Sequence, residues 1–307
     1  MSAGGVDDEE AGRVRSFLFV PGDSERKQVK ALAAAADALI LDLEDSVDVS
    51  QLPAARARVR ELLKANTDRS RQQLWVRVNA LSSGLLLEDL AAVMPGPDGI
   101  VLPKISHPRE VEEVAHYLSA LEVRESRTLG STRLLVIATE TPRAVLTLPE
   151  YTTASPRLTA LTWGSEDLGA ALGVTARVDS NGVPTLPFQL ARTSCLLTAA
   201  AIGVQAIDGV YVDFRDREGL VRQAEAARRD GFSGKLAIHP DQVDAINAAF
   251  TPTQEEIAHA RRIIAAFAAA PGAGVVSLDG QMIDKPHWVQ ARRILASVET
   301  SGGNSTT

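Results

Sequence analysis

The position of Glu140 in the sequence suggests that its carboxylate belongs to a functional site. Glu140 follows residues 134–139, an apolar and partly β-branched run, and it is followed by Thr141 and Pro142. The run predicts a buried strand, and a proline suits the first turn of a helix, where no backbone N–H is needed. We therefore expect the Glu140 carboxylate at the carboxyl-terminal tip of a buried strand, with a helix-capping or surface glutamate as the alternative.

Ionisable residues also follow most of the other apolar runs. Further strands are predicted at residues 15–20, 38–43, 74–79, 99–102, 158–163, 206–211 and 235–238, with helical segments between them. All but the first end in or beside a charged or titratable group, and besides Glu140 these are Glu44, Asp45, Arg77, Lys104, Asp167, Asp213 and His239. Each alone could be a surface charge. Together, groups of both signs at strand ends predict a polar pocket.

Eight strands alternating with helices predict an α/β fold, a closed (β/α)8 TIM barrel over residues 13–250. An open doubly wound sheet is the alternative, but no Gly-x-Gly-x-x-Gly follows the first strand. Residues 251–300 are predicted to form a C-terminal helical arm. We expect this arm to be too short for a core of its own, and therefore to pack on its own barrel or on a neighbouring subunit. Residues 1–12 and 301–307 are predicted to be disordered tails.

Composition excludes several classes of protein. The 307 residues carry a net charge of −7 and no dense basic block, which argues against binding to nucleic acid or to an anionic membrane. No signal peptide or membrane-spanning run is visible, so we expect a cytoplasmic protein. The single cysteine, Cys195, excludes an internal disulfide and lies in an apolar run typical of a buried structural thiol.

The predicted strand ends suggest a magnesium site. Glu140 and Asp167 follow adjacent strands, and carboxylates with water and substrate oxygens are what Mg²⁺ prefers. Arg77 could bind a substrate carboxylate or stabilise an enolate oxygen. Carbon–carbon bond cleavage or formation beside a carbonyl fits this set. Lys104 leaves two alternatives open, because it could form a Schiff base or simply bind an anion.

Six motifs together resemble one family. They are residues 15–22 (Arg-Ser-Phe-Leu-Phe-Val-Pro-Gly), 41–47 (Leu-Asp-Leu-Glu-Asp-Ser-Val), 76–79 (Val-Arg-Val-Asn), 102–104 (Leu-Pro-Lys), 140–142 (Glu-Thr-Pro) and 164–168 (Gly-Ser-Glu-Asp-Leu). In this order and spacing they resemble the citrate lyase β-subunit-like branch of the HpcH/HpaI aldolase superfamily. Trp163 departs from the pattern, since phenylalanine is more usual there, and it either fills the barrel or narrows the pocket.

This resemblance implies magnesium-dependent cleavage or formation of a 3-hydroxyacyl-CoA, with acetyl-CoA and a 2-oxo acid as the other partners. Position by position, it implies that Glu140 and Asp167 bind Mg²⁺ and that Glu44 and Asp45 hold metal-bound waters. It implies that Arg77 stabilises the enolate. The same resemblance implies that Arg15, Lys104 and His239 lie on the side of the site that binds CoA.

The C-terminal arm bears on the type of enzyme. Residues 280–286 resemble the arm of free-standing citramalyl-CoA and malyl-CoA lyases, in which the residue matching Asp284 acts in the site of a neighbouring subunit. The resemblance thus implies a homo-oligomer, a trimer or a hexamer, while Asp284 alone could be a helix cap. The alternatives are a malyl-CoA thioesterase, a β subunit of a citrate lyase complex, a CoA-independent 2-oxo acid aldolase and a catalytically silent scaffold.

Overall fold

The computed structural model describes residues 13–94, 96–153, 155–180 and 182–302. They form two compact units, residues 14–247 and a C-terminal unit that begins at Ala248. The tails predicted to be disordered lie outside the described residues, except that the last helix includes Ser301 and Gly302. Within the described ranges, no helix is both long enough and apolar enough to cross a membrane.

The first unit is a closed barrel of eight parallel strands, in which β1 pairs with both β2 and β8. The predicted (β/α)8 fold is confirmed, and the open-sheet alternative is wrong. The strands are β1 (Ser16–Pro21), β2 (Ala38–Asp42), β3 (Gln73–Arg77), β4 (Gly99–Leu102), β5 (Arg133–Ile137), β6 (Leu158–Thr162), β7 (Gln205–Asp208) and β8 (Gly234–Ala237). The helices are α1 (Glu25–Leu32), α2 (Leu52–Ala65), α3 (Leu86–Val93), α4 (Pro108–Arg124), α5 (Pro142–Thr147), α6 (Glu166–Leu172), α7 (Leu186–Ile202), α8 (Arg217–Asp230) and α9 (Val243–Phe250).

Aromatic side chains fill the barrel interior. Phe17 of β1 and Trp75 of β3 meet edge to face, with ring centroids 5.7 Å apart, within a cluster of buried apolar residues from the other strands. Gly99 of β4 leaves room for the indole, because a Cβ at this position would lie 2.2 Å from the Trp75 ring. The interior is therefore packed like an ordinary core, and the charged groups of the predicted pocket lie where the strands end.

A local sequence signal sets the start of α5 as predicted. Pro142 is in the first turn of α5, and the Thr141 hydroxyl caps that helix by accepting a hydrogen bond from the Ala144 N–H at 3.0 Å.

Cys195 is fully buried in α7, and burial raises the pKa of its thiol to about 12, as expected for a structural rather than a reactive cysteine.

Strand β7 is shorter than predicted. It ends at Asp208 instead of Tyr211. The Asp208 carboxylate accepts a hydrogen bond from the buried Lys235 ammonium of β8 at 2.7 Å. The Lys235 ammonium also donates to the carbonyl of Gly209 at 2.6 Å. Asp213 lies exposed in the loop that follows, so the prediction that it comes at the end of a strand is wrong.

The C-terminal unit has a small core, which corrects the prediction that the arm would lack one. It consists of α10 (Gln254–Ala268), an antiparallel hairpin of β9 (Val275–Leu278) and β10 (Gln281–Asp284), and α11 (Lys285–Gly302). The hairpin, which we did not predict, buries Ile283 in a cluster with Ile263 of α10 and Ala291 of α11. The predicted packing of this arm on a neighbouring subunit stays a prediction.

A buried ion pair ties α4 to the segments before β5 and β6. The Arg157 guanidinium donates two hydrogen bonds to the Glu122 carboxylate, at 2.7 and 2.6 Å, and the N–H groups of Gly130 and Thr132 donate to the same carboxylate. Burial alone would raise the pKa of Glu122, but these donors lower it from 4.5 to about 2.

Replacing Glu122 with glutamine is expected to lower the free energy of unfolding at pH 7 by about 3–5 kcal/mol, because the buried Arg157 charge loses its carboxylate. The pKa of the native carboxyl lies below its unfolded value. The contribution of the Glu122 carboxylate to the free energy of unfolding is therefore complete above about pH 5 and is lost as the pH falls toward 2. Urea unfolding should show the difference between the two proteins shrinking by about 2 kcal/mol between pH 7 and pH 3. The matched control is Glu113→Gln on the exposed face of α4, and a pH-independent difference for Glu122→Gln would contradict the prediction.

Candidate active site

Arg77, the last residue of β3, is held rigidly by the last residue of β2. Its Nε and Nη2 donate to the two oxygens of Asp42, each at 2.7 Å, and its guanidinium lies 4.8 Å from the centroid of the Phe19 ring. Asp42 and Arg77 are direct partners in the strand register. Burial would lower the pKa of Arg77, but the Asp42 carboxylate raises it, so the guanidinium is a fixed positive charge. The sequence analysis missed Asp42, although it lies within the strand predicted at residues 38–43.

Two further carboxylates follow β2 and face the same guanidinium. Oε2 of Glu44 lies 3.0 Å from Nη1 of Arg77, and Oδ2 of Asp45 lies 3.4 Å from the same atom. Glu44 is nearly buried, whereas Asp45 is half exposed. Burial raises the pKa of Glu44, against the opposing effects of Arg77 and Lys104. These side chains therefore form one charged cluster with Arg77, as predicted from the strand ends.

Glu140 and Asp167, the predicted metal ligands, lie beside this cluster. Glu140 is buried and accepts a hydrogen bond from the backbone N–H of Lys104. Burial raises the pKa of Glu140 to about 8, and the negative charges of Asp167 and Glu44 add to the effect. Asp167 is in the first turn of α6, with its carboxylate 3.6 Å from the Lys104 ammonium.

The residues present fit a hard divalent cation. Oε2 of Glu44 is buried and accepts no hydrogen bond of good geometry. Glu140 is also buried, and the negative charges of the nearby carboxylates disfavour its ionised form. Within the described ranges, no three His, Cys, Asp or Glu side chains lie close enough together to hold an ion unaided. A cation here would thus need oxygen atoms from water or a ligand to complete its coordination, which is the usual situation for Mg²⁺.

A cavity of about 770 Å³ opens beside Arg77. Its lining includes the charged side chains of Asp42, Asp45 and Arg77 and the apolar side chains of Phe19, Val210 and Ile238. Three cations of the α1 region line it as well, Arg26, Lys27 and Lys30, which the sequence analysis also missed. The cavity thus combines charged residues of the strand ends, apolar surface and three exposed cations of α1, which suits a long ligand that carries anionic groups.

His239 and Arg15, both predicted on the CoA side, occupy different ends of the barrel. His239 lines the cavity and stacks on Phe214, with ring centroids 4.8 Å apart and its Nδ1 accepting from the Asp241 N–H. Arg15 precedes β1, and its side chain donates to Asp37, which precedes β2. Because parallel strands start at the end opposite the pocket, Arg15 cannot reach it, and the prediction for Arg15 is wrong.

Asp284 ends β10 in the C-terminal unit. Its Oδ1 lies 2.6 Å from Nδ1 of His287, one turn into α11, and both side chains are about half exposed. The imidazole therefore orients this carboxylate within its own unit.

Trp163 belongs to a buried polar network and does not line the cavity. Its indole N–H donates to Oδ1 of Asp208 at 2.8 Å, and the same oxygen accepts from Nε of Arg192 in α7 at 3.0 Å. Burial alone would raise the pKa of Asp208, but Lys235 and Arg192 hold it below its usual value. The tryptophan therefore satisfies a buried charge in a way that phenylalanine could not.

Replacing Trp163 with phenylalanine is expected to lower the free energy of unfolding by about 1–2 kcal/mol, because Asp208 loses one donor. The KM for substrate should stay unchanged, since the ring does not touch the cavity. Urea denaturation and steady-state kinetics measure the two effects. A large change in KM with unchanged stability would instead support a role in narrowing the pocket.

Comparison with known proteins places this geometry in a family. The model of the HpcH/HpaI aldolase/citrate lyase family matches residues 15–240. The chain is 38% identical to a (3S)-malyl-CoA thioesterase of Cereibacter sphaeroides, over 93% of this chain and 94% of that protein. It is 37% identical to the citrate lyase subunit beta of Escherichia coli, over 94% of each. It is 35% identical to the mitochondrial citramalyl-CoA lyase of Rattus norvegicus, over 92% of this chain and 85% of that protein.

Solved structures that resemble this chain carry names of the same family as the sequence relatives. The CitE protein of Mycobacterium tuberculosis in complex with magnesium, acetoacetate and coenzyme A is 33% identical, with a TM-score of 0.75, over 94% of this chain and 99% of that one. A citrate lyase beta subunit from the same organism, complexed with oxaloacetate and magnesium, is 32% identical, with a TM-score of 0.66, over 79% of this chain and 100% of that one. With a family model that spans the barrel and relatives that match nearly the whole length, this chain belongs to the HpcH/HpaI aldolase/citrate lyase family.

Proposed function

We propose that this protein is an Mg²⁺-dependent carbon–carbon lyase that cleaves, or forms, a 3-hydroxyacyl-CoA such as citramalyl-CoA or malyl-CoA, with acetyl-CoA and a 2-oxo acid as products. The observation that carries the proposal is that a charged cluster and a large cavity lie side by side. A carboxylate cluster with the fixed Arg77 borders a cavity, and exposed cations of α1 line the same cavity. Relatives named for CoA thioesters and a neighbour that holds CoA with magnesium support the choice of substrate class.

The charges of the cavity match the two ends of such a substrate. Arg26, Lys27 and Lys30, which are exposed on α1, suit the phosphate groups of CoA, and the apolar lining suits its uncharged arm. His239 and Phe214 offer a stacked aromatic surface beside this path. Arg77 lines the same cavity, and its guanidinium would lie beside the reacting acyl group.

Glu140 and Asp167 would hold Mg²⁺, with Glu44 and Asp45 binding water molecules of its coordination shell. When bound, the ion supplies Lewis-acid polarisation of the substrate oxygens. The hydroxyl group of the substrate gives its proton to a water molecule and becomes the carbonyl of the 2-oxo acid as the carbon–carbon bond breaks. The electron pair of that bond passes to the acetyl-CoA enolate, whose oxygen is stabilised by Arg77.

Asp284 of a neighbouring subunit would act as the general acid that protonates the enolate carbon, with His287 fixing its orientation. This role requires a homo-oligomer, a trimer or a hexamer, in which one arm completes the site of another subunit. Protonation of the enolate carbon gives the methyl group of acetyl-CoA, and the reverse sequence describes condensation.

A malyl-CoA thioesterase is the second candidate, favoured by the 38% identity to a protein of that name. In this reaction water attacks the thioester carbonyl, and Arg77 stabilises the resulting oxyanion instead of an enolate. The same residues serve both reactions, so the products must decide.

The deciding experiment follows free thiol and 2-oxo acid separately after adding malyl-CoA or citramalyl-CoA to the purified protein with Mg²⁺. Oxo acid with intact acetyl-CoA supports the lyase. Thiol with intact hydroxy acid supports the thioesterase. The Asp167→Asn protein and an EDTA-treated sample define the background.

The remaining alternatives have outcomes of their own. A β subunit of a citrate lyase complex would be inactive alone and would co-purify with partner subunits. A CoA-independent aldolase would act on pyruvate and an aldehyde. A silent scaffold would bind CoA or metal without turnover, and any of these three results would contradict the proposed lyase.

A further inference from the structure

Lys104 lies at the centre of the carboxylate cluster. Its ammonium contacts Glu44 by a short hydrogen bond, donates to Oδ1 of Asp45 at 2.9 Å, and lies 3.6 Å from Oδ1 of Asp167. Its backbone N–H donates to Oε2 of Glu140. This one residue therefore links carboxylates that follow three different strands, and it does not line the cavity in which the CoA-side prediction would place it.

The backbone of Lys104 adopts a conformation that is unusual for a lysine. Its φ of 55° is in the left-handed region, which non-glycine residues rarely occupy. Such a conformation costs on the order of 1 kcal/mol and persists where the surrounding contacts stabilise it. Here the backbone contact is the hydrogen bond to Glu140, and the side-chain contacts are the ion pairs with Glu44 and Asp45.

We propose that Lys104 is a built-in counter-cation that shares the carboxylate cluster with the divalent metal ion and thereby weakens metal binding. The inference rests on the metal assignment of the proposed function. The backbone N–H of Lys104 positions the Glu140 carboxylate, while the ammonium neutralises part of the charge on Glu44, Asp45 and Asp167. These two contributions have opposite effects on metal affinity, and only the side-chain contribution is removed by substitution.

The sign of the effect follows from Coulomb's law. A positive charge within about 4 Å of the carboxylates that attract a divalent cation competes for them and repels that cation. At the dielectric typical of partly exposed sites, removing it should tighten Mg²⁺ binding by roughly 10- to 100-fold. Carboxylates no longer paired with lysine also bind protons more readily, so the comparison belongs at about pH 8.5, where competition by protons is small.

The test is isothermal titration of the purified proteins with MgCl₂. Lys104→Met removes the charge while keeping the side-chain length and the same backbone cost at positive φ. Its Kd for Mg²⁺ should fall by roughly 10- to 100-fold. Lys104→Arg keeps the charge and should leave the Kd close to that of the wild type. Lys64→Met, on the exposed face of α2 where Lys64 pairs with Glu61, is the matched control and should not change it.

The direction of the change separates this role from simple structural damage, because a disrupted cluster can only bind the ion more weakly. Unchanged or weaker binding in Lys104→Met, with native circular dichroism, would overturn the inference while leaving the metal site intact. If Lys104→Met does not fold, Lys104→Gln provides the same neutralisation with a polar group. Absence of saturable Mg²⁺ binding in the wild type would overturn both the inference and the metal assignment of the proposed function.

Discussion

Replacing Arg77 with lysine is expected to lower kcat by about 10²- to 10³-fold, the usual loss when one donor to a developing oxyanion is removed. The guanidinium uses Nε and Nη2 to hold Asp42, which leaves Nη1 beside Glu44 and Asp45 at the cavity wall. An ammonium has one nitrogen and cannot keep the contact with Asp42 while also presenting a donor at the wall. The loss should therefore affect kcat more than KM.

The control for this prediction is Arg133→Lys. Arg133 starts β5, lies over the Trp75 ring and does not line the cavity, so it is a barrel arginine without a place in the site. Its kcat should be that of the wild type. Thermal unfolding of both variants shows whether the remaining Arg77→Lys activity comes from folded protein. A folded Arg77→Lys enzyme with kcat within about threefold of the wild type would exclude Arg77 from the chemistry.

The Asp167→Asn protein is expected to bind Mg²⁺ at least ~100-fold more weakly and to lose turnover at physiological Mg²⁺, because an amide cannot replace a carboxylate as a charged ligand to a hard cation. Asp167 is the better of the two predicted ligands to replace. Its side chain is 37% exposed, so the fold should tolerate the change, whereas Glu140 is 4% exposed. Calorimetric titration with MgCl₂ measures the affinity directly, and the product assay measures turnover.

Glu166→Gln is a close control for Asp167→Asn. Glu166 is the preceding residue in the same first turn of α6, and it is about as exposed, but it pairs with Arg177. Its removal should leave both Mg²⁺ affinity and turnover unchanged. If both variants lost affinity equally, a general effect of charge would explain the result better than coordination by Asp167.

The polar end of the barrel was predictable because most apolar runs of the sequence stop at or shortly before a charged residue. Strands β2 and β3 end at Asp42 and Arg77, and Glu140 and Asp167 follow shortly after β5 and β6. From this pattern alone, Arg77, Glu140 and Asp167 could be assigned to one end of the barrel. The pattern failed where the apolar run continues past the strand. Residues 206–212 have the composition of one strand, but the pairing stops at Asp208, and the carbonyl of Gly209 accepts from the Lys235 side chain.

Other features depend on three-dimensional contacts or on a signal that we overlooked. The contacts of Lys104 depend on a positive φ that no local pattern predicts for a lysine. The hairpin of the C-terminal unit did have a signal, because Asp279 and Gly280, both at positive φ, form the Asp-Gly turn typical of a two-residue hairpin. Arg15 could have been placed correctly from chain order alone, since a residue before a strand lies at the opposite end from residues after it.

The small core of the C-terminal unit bears on how subunits would assemble. Because Ile263, Ile283 and Ala291 pack together within the unit, the geometry of Asp284 and His287 is set without help from another subunit. Association of such a preformed arm loses rigid-body freedom but little chain entropy. In the proposed oligomer, dilution would then separate subunits without unfolding the arm, and activity would return on concentration at the rate of molecular encounter rather than the rate of refolding.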